Sequence, residues 1–110
     1  MYLSKKAESL IREAIATDIR QSGGWAVVTS GSIKTAQGTP DIIATVPDPH
    51  RIGSYVTCAI EVKTEVGKPS ILQEEITDRM GQRGFAVFFP DSLRDWHREF
   101  KSYVWSMTRG

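Results

Sequence analysis

The chain has 110 residues with 14 basic and 13 acidic side chains, a formal net charge of +1, and a length that suits one domain with its own core. Its 40% hydrophobic and 25% charged residues are those of an ordinary globular protein, which argues against a disordered tail. The near-neutral balance also argues against a chain that coats nucleic acid through bulk positive charge alone.

Residues 4–21 carry Ala7, Leu10, Ile11, Ala14, Ile15 and Ile19 at helical spacing, so an amphipathic helix is expected there, stopped by Gly23 and Gly24. Residues 25–29 form a short β-rich run, and 30–39 a polar loop punctuated by glycine. Residues 41–46 and 55–63 are expected to be strands, and the turn formers of 47–54 make them antiparallel neighbours. A helix over 70–83 opens at Pro69-Ser70, and the apolar run 85–89 predicts a strand buried on both faces. From Ser92 onward, Leu93, Trp96, Phe100, Tyr103, Val104 and Met107 fall on one stripe of a last helix. The order α-β-β-β-α-β-α implies a single α/β domain over 1–110, a mixed central sheet flanked by helices.

The lone Cys58 can form no internal disulfide, and the N-terminus shows no apolar h-region. No apolar run approaches the ~20 residues of a bilayer span. A cytoplasmic protein without a membrane partner is the expectation.

Alternation along 55–63 sends Val56, Cys58, Ile60 and Val62 to one face, toward a core. Glu61 and Lys63 then share the other face. A charged edge strand kept for solubility is one reading of that pair. The hairpin adds a second, because folding 41–46 back on 55–63 brings Asp41 close to Glu61. Two converging carboxylates are unfavourable unless a cation lies between them. Mg²⁺ is held in this manner, by one or two carboxylates with water and phosphate oxygens completing its shell.

Pro40-Asp41 followed by Glu61-Val62-Lys63 resembles the PD…(D/E)XK signature of the restriction-endonuclease-like superfamily. The wider string resembles the VRR-NUC (virus-type replication-repair nuclease) family in particular. It runs through Gly38-Thr39-Pro40-Asp41-Ile42-Ile43-Ala44, Ala59-Ile60-Glu61-Val62-Lys63-Thr64, Gly67-Lys68-Pro69-Ser70 and Gln73. The likeness extends from about residue 8 to about residue 90. It implies the α-β-β-β-α-β core of that superfamily with an added C-terminal helix. Asp41 and Glu61 would be metal ligands, joined by the Val62 carbonyl, with Lys63 orienting the attacking water and stabilising charge on the phosphate. The implied cofactor is Mg²⁺ or Mn²⁺ and the implied activity is hydrolysis of DNA, with branched DNA such as a Holliday junction as substrate. A non-catalytic nucleic-acid-binding module on the same fold, or an interaction protein with a surface charge cluster, are the competing readings.

The family also places a glutamate in the first helix, where this chain offers Glu8 and Glu13. At ~100° per residue Glu8 lies on the edge of the apolar stripe, while Glu13 lies among Lys6, Ser9, Thr17 and Arg20. Glu8 is therefore the candidate, with an ion pair to Arg12 at i+4 as the structural alternative. Gln73 has the capping-box spacing from Ser70, and the resemblance also places a glutamine near the catalytic lysine. Ser30, Ser32 and Lys34 in the long loop, and Lys68 before a helix N-terminus, are candidate DNA contacts. His50 and His97 are too isolated for a metal or nucleophile site, and the aromatics of the last helix are expected in the core. That helix carries more apolar surface than so small a chain is expected to bury, which together with the resemblance points to a homodimer.

Overall fold

The structure, a computed structural model, describes residues 5–29, 38–63 and 71–109. Its elements are α1 (Lys5–Gln21), β1 (Trp25–Val28), β2 (Ile42–Pro47), β3 (Tyr55–Ile60), α2 (Ile71–Gln82), β4 (Ala86–Phe88) and α3 (Leu93–Arg109). This is the expected order. The strands form one sheet, β1-β2-β3-β4, antiparallel from β1 to β3 and parallel between β3 and β4. Among the described residues no helix is long and apolar enough to cross a membrane.

Parity decides which side of the sheet each residue serves. Ile42, Ala44, Val46, Val56, Cys58, Ile60, Val62, Ala86 and Phe88 form the core with Ile15, Ala16 and Ile19 of α1 and Trp96 and Val104 of α3. Both long helices therefore pack on the same face. The sheet's other face carries Asp41, Glu61 and Lys63 at one end, where Gln73 of α2 reaches Glu61 and Lys63. Away from that end Trp25, Thr57 and Tyr55 lie exposed.

Glycine sets two of the joints. Gly24 donates its N–H to the Ile19 carbonyl at 2.9 Å, and a Cβ there would stand 2.5 Å from the Thr45 carbonyl oxygen. Only a glycine lets α1 turn into β1 against β2 so closely. Gly38 adopts a φ of +86°, and a Cβ on it would meet Ile76 Cδ1 at 2.6 Å. The chain entering Pro40-Asp41 thus lies directly on α2.

Side chains take a few outward backbone groups at the sheet's two borders, on β1 and just after β4. Phe89 and Asp91 donate their N–H groups to Glu99 Oε1 at 3.2 Å and Asp95 Oδ2 at 3.0 Å. On β1, Arg20 Nη2 donates to the Ala26 carbonyl at 3.0 Å.

Several expectations need correction. β3 ends at Ile60 rather than at residue 63, because its pairing with β2 stops there. Pairing toward β4 continues, with Glu61 N–H on the Phe88 carbonyl at 3.0 Å and Lys63 N–H on the Pro90 carbonyl at 2.9 Å. β4 is not buried on both faces: it closes the described sheet, and Val87 is half-buried. Leu10, placed on the apolar stripe of α1, is 64% exposed. The α3 stripe is largely absorbed by the chain's own core, through Leu93, Trp96, Phe100, Tyr103 and Val104. Only Met107 of that set stays exposed. Trp105, expected in the core, is 57% exposed. Cys58 is buried as expected, and burial pushes its thiol up to about 12. His97 makes a contact that spacing did not suggest, Nε2 to Asp18 Oδ2 at 2.9 Å, which ties α3 to α1.

Trp96 is buried and packs edge-on to Phe88 at a centroid distance of 5.2 Å. Trp96→Ala is expected to cost ~3–5 kcal/mol in chemical denaturation. Trp105→Ala, at an exposed position of the same helix, should cost less than about 1 kcal/mol. Equal losses for the two would contradict the packing described.

Candidate active site

Register brings the carboxylates together. The last β2–β3 pair is Ile42↔Ile60, so Asp41 and Glu61 stand opposite each other one step beyond the ladder. There the backbone bonds give way to an exchange of side chains. Asp41 N–H donates to Glu61 Oε1 at 2.9 Å, and Val62 N–H donates to Asp41 Oδ2 at 2.9 Å. Asp41 takes the Val62 N–H that a continued β2–β3 ladder would have used. β1 steadies the same step, with Thr29 N–H on the Asp41 carbonyl at 2.7 Å and the Thr29 hydroxyl on the Pro40 carbonyl.

Lys63, two residues after Glu61, projects from the same side, and its Nζ lies 3.8 Å from Glu61 Oε2. Gln73 bridges the two. Its Nε2 donates to Glu61 Oε2, and its Oε1 accepts from Lys63 Nζ at 3.3 Å. Thr77, buried one turn later, returns its hydroxyl to the Gln73 carbonyl at 2.8 Å. Both ends of the Gln73 side chain therefore face the candidate site. Ser70, its capping-box partner by spacing, lies outside the described residues.

Glu61 is only 4% exposed. Its carboxyl is raised from the ordinary glutamate value to about 7, first by burial and then by the negative charge of Asp41, with Lys63 opposing. Lys63 offsets only part of the repulsion between the two carboxylates, and a further cation beside them would relieve the rest. No group of three or more His, Cys, Asp or Glu side chains suited to a metal occurs among the described residues. Two carboxylates with a neighbouring carbonyl fit a hard cation that keeps waters and takes substrate oxygens, as Mg²⁺ does. They do not fit a four-ligand structural zinc site.

Glu8 stands apart from this group. Its described partner is Arg12, at 3.8 Å. The short 22–24 connection turns α1 back onto β1 and β2, against which it packs. Glu13 is exposed, as the helical geometry predicts. The candidate DNA contacts Ser30, Ser32, Lys34 and Lys68 lie outside the described residues. The Gln73 bridge was only half-visible in sequence, since its spacing from Ser70 offered a local role as well. Thr29 gave no signal at all; only the β1–β2 register reveals it.

A raised carboxyl pKa has a definite linkage sign. The folded state binds a proton at Glu61 more tightly than the unfolded chain does, so this contribution to stability is full at low pH. It is lost as pH rises from about 4.5 to about 7. Glu99 is also raised to about 7, by burial and by Asp95, and adds a loss in the same window. Without divalent cations, melting temperature should fall between pH 5 and pH 7.5. Glu61→Gln and Glu99→Gln should each flatten part of that fall; wild-type slopes in both variants would contradict the assignment.

No protein-family model matches the chain, and no curated protein does. The chain is similar to a solved structure described as a VRR_NUC domain, with 23% identity and a TM-score of 0.69. The superposition covers 88% of this chain and 97% of that one. The likeness carries the resemblance first drawn from Pro40-Asp41 and Glu61-Val62-Lys63 through to architecture: the chain has the α/β fold of a VRR_NUC domain.

Proposed function

We propose that the protein is a Mg²⁺- or Mn²⁺-dependent DNA endonuclease that hydrolyses phosphodiester bonds. The observation that carries this reading is the exchange between Asp41 and Glu61, which holds two carboxylates together beside Lys63 at the point where β2 and β3 part. Asp41, Glu61 and the Val62 carbonyl would hold the cation. When bound, it would lower the pKa of a water and polarise the phosphoryl oxygen.

The chain's own groups supply the rest. Gln73 fixes Lys63 and Glu61 relative to each other, so the ammonium needs little reorganisation as charge develops on the phosphate. Lys63 orients the water through its remaining donors, and Thr29 holds the Pro40-Asp41 backbone in place. Glu8 would act from α1, as the family resemblance implies. Ser30, Ser32, Lys34 and Lys68 would contact the DNA backbone. Branched DNA is the proposed substrate, supported by the family resemblance. The same resemblance supports a homodimer, which would present two sites to two strands.

Purified protein with Mg²⁺ or Mn²⁺ should cleave at least one of a four-way junction, a flap, a duplex or a single strand. Lys63→Ala should lower the rate by about 10²–10³-fold. Cleavage in the presence of a chelator, or a Lys63→Ala rate equal to wild type, would sink the mechanism. Absence of cleavage despite DNA binding would favour a binding module. Divalent cations should raise the melting temperature of wild type but not of Glu61→Ala. The shift should grow from pH 6 to pH 8, because Glu61 must lose its proton to bind. Sedimentation in the micromolar range should show a dimer; a monomer throughout would remove that part of the proposal.

A further inference from the structure

The solvent side of α3 has an order that the candidate site does not use. Arg94, Arg98, Lys101 and Trp105 follow one another at i, i+4, i+7 and i+11. At ~100° per residue they fall within an arc of roughly 60°, about 130° round the helix from Trp96, Phe100 and Val104. Those three face the core, so the strip faces away from the sheet. It is ~16 Å long at 1.5 Å per residue.

The surface along the strip is concave. Arg98, Lys101, Ser102 and Trp105 line a groove of about 460 Å³ together with His50 from the turn after β2. Arg98 also borders a depression of about 430 Å³ that holds Arg94. Asp91 and Asp95 lie at that end, and Asp95 is paired with Arg98. Among the described residues no carboxylate lies within ion-pair distance of Arg94 or Lys101. A row of cations ending on an exposed indole suits a phosphate backbone whose terminal base or sugar rests on the ring.

The geometry points to a second nucleic-acid contact on α3, with Arg94, Arg98 and Lys101 on successive phosphates and Trp105 as a stacking surface. This rests on the nuclease reading above and adds a site on the opposite face of the sheet. Asp41, Glu61 and Lys63 project from the face that α1 and α3 leave open. A continuous duplex, stiff over ~50 nm, does not turn round a body 27 Å across. The strip therefore takes a second arm of the same branched substrate. A duplex of about eight base pairs, ~27 Å long, reaches the candidate site alone.

The test compares wild type, Arg94→Gln/Lys101→Gln and Trp105→Ala, all altered only at exposed positions. Affinity is measured by fluorescence anisotropy in chelator against a four-way junction and against the short duplex, over a range of salt. The double variant should bind the junction at least about tenfold more weakly, with a salt slope lower by about 2. Trp105→Ala should weaken junction binding by about fivefold or more. Both should bind the short duplex as wild type does. Unchanged junction affinity and salt slope would overturn the strip while leaving the nuclease reading intact. Equal losses on junction and short duplex would also overturn it, by placing the strip at the catalytic face. No binding of either DNA by wild type would overturn both.

Discussion

Everything at the candidate site depends on one exchange, in which Asp41 and Glu61 each accept a backbone N–H from the other's strand. Ladder pairing through Ile42↔Ile60 delivers the two residues face to face, and then stops. A buried carboxylate is costly without donors. These N–H groups provide them. The strands part at this point, where Pro40 has no N–H to continue the ladder and the Val62 N–H turns to Asp41 instead. Asp41 and burial together lift Glu61 to about 7, with the Lys63 ammonium opposing them.

Much of this was legible in the sequence because strand parity is local. The alternation Val56, Cys58, Ile60, Val62 fixed the core face, and Glu61 and Lys63 had to share the other. The turn formers of 47–54 brought Asp41 back to them. What was not legible arose from tertiary contacts. Gln73 reaches the site because Gly38 lets the chain before Asp41 sit against Leu72 and Ile76 of α2. Thr29 holds Pro40 and Asp41 from a strand whose pairing only the register reveals. Leu10 and Trp105 fit apolar patterns and are nonetheless exposed, because periodicity fixes a direction but not whether another element lies in it.

Near-neutrality of the whole chain conceals a division of charge. α2 carries Glu74, Glu75 and Asp78, while the outer side of α3 carries Arg94, Arg98 and Lys101. The total of +1 is the sum of opposed surfaces. A polyanion meeting this molecule encounters attraction in some directions and repulsion in others, so its orientation is selected before any base is contacted.

The side chains that occupy the outer strands have a consequence for how the molecule can associate. Glu99 and Asp95 take the N–H groups of Phe89 and Asp91, and Arg20 takes the carbonyl of Ala26. At one border carboxylates imitate the acceptors of an absent neighbour; at the other a guanidinium imitates its donor. An incoming strand would have to displace these charged groups, so lateral growth of the sheet is disfavoured where they sit. A second copy of the chain is thereby turned away from these points of the sheet border, where joining it would disturb the strand register that spaces Asp41 and Glu61.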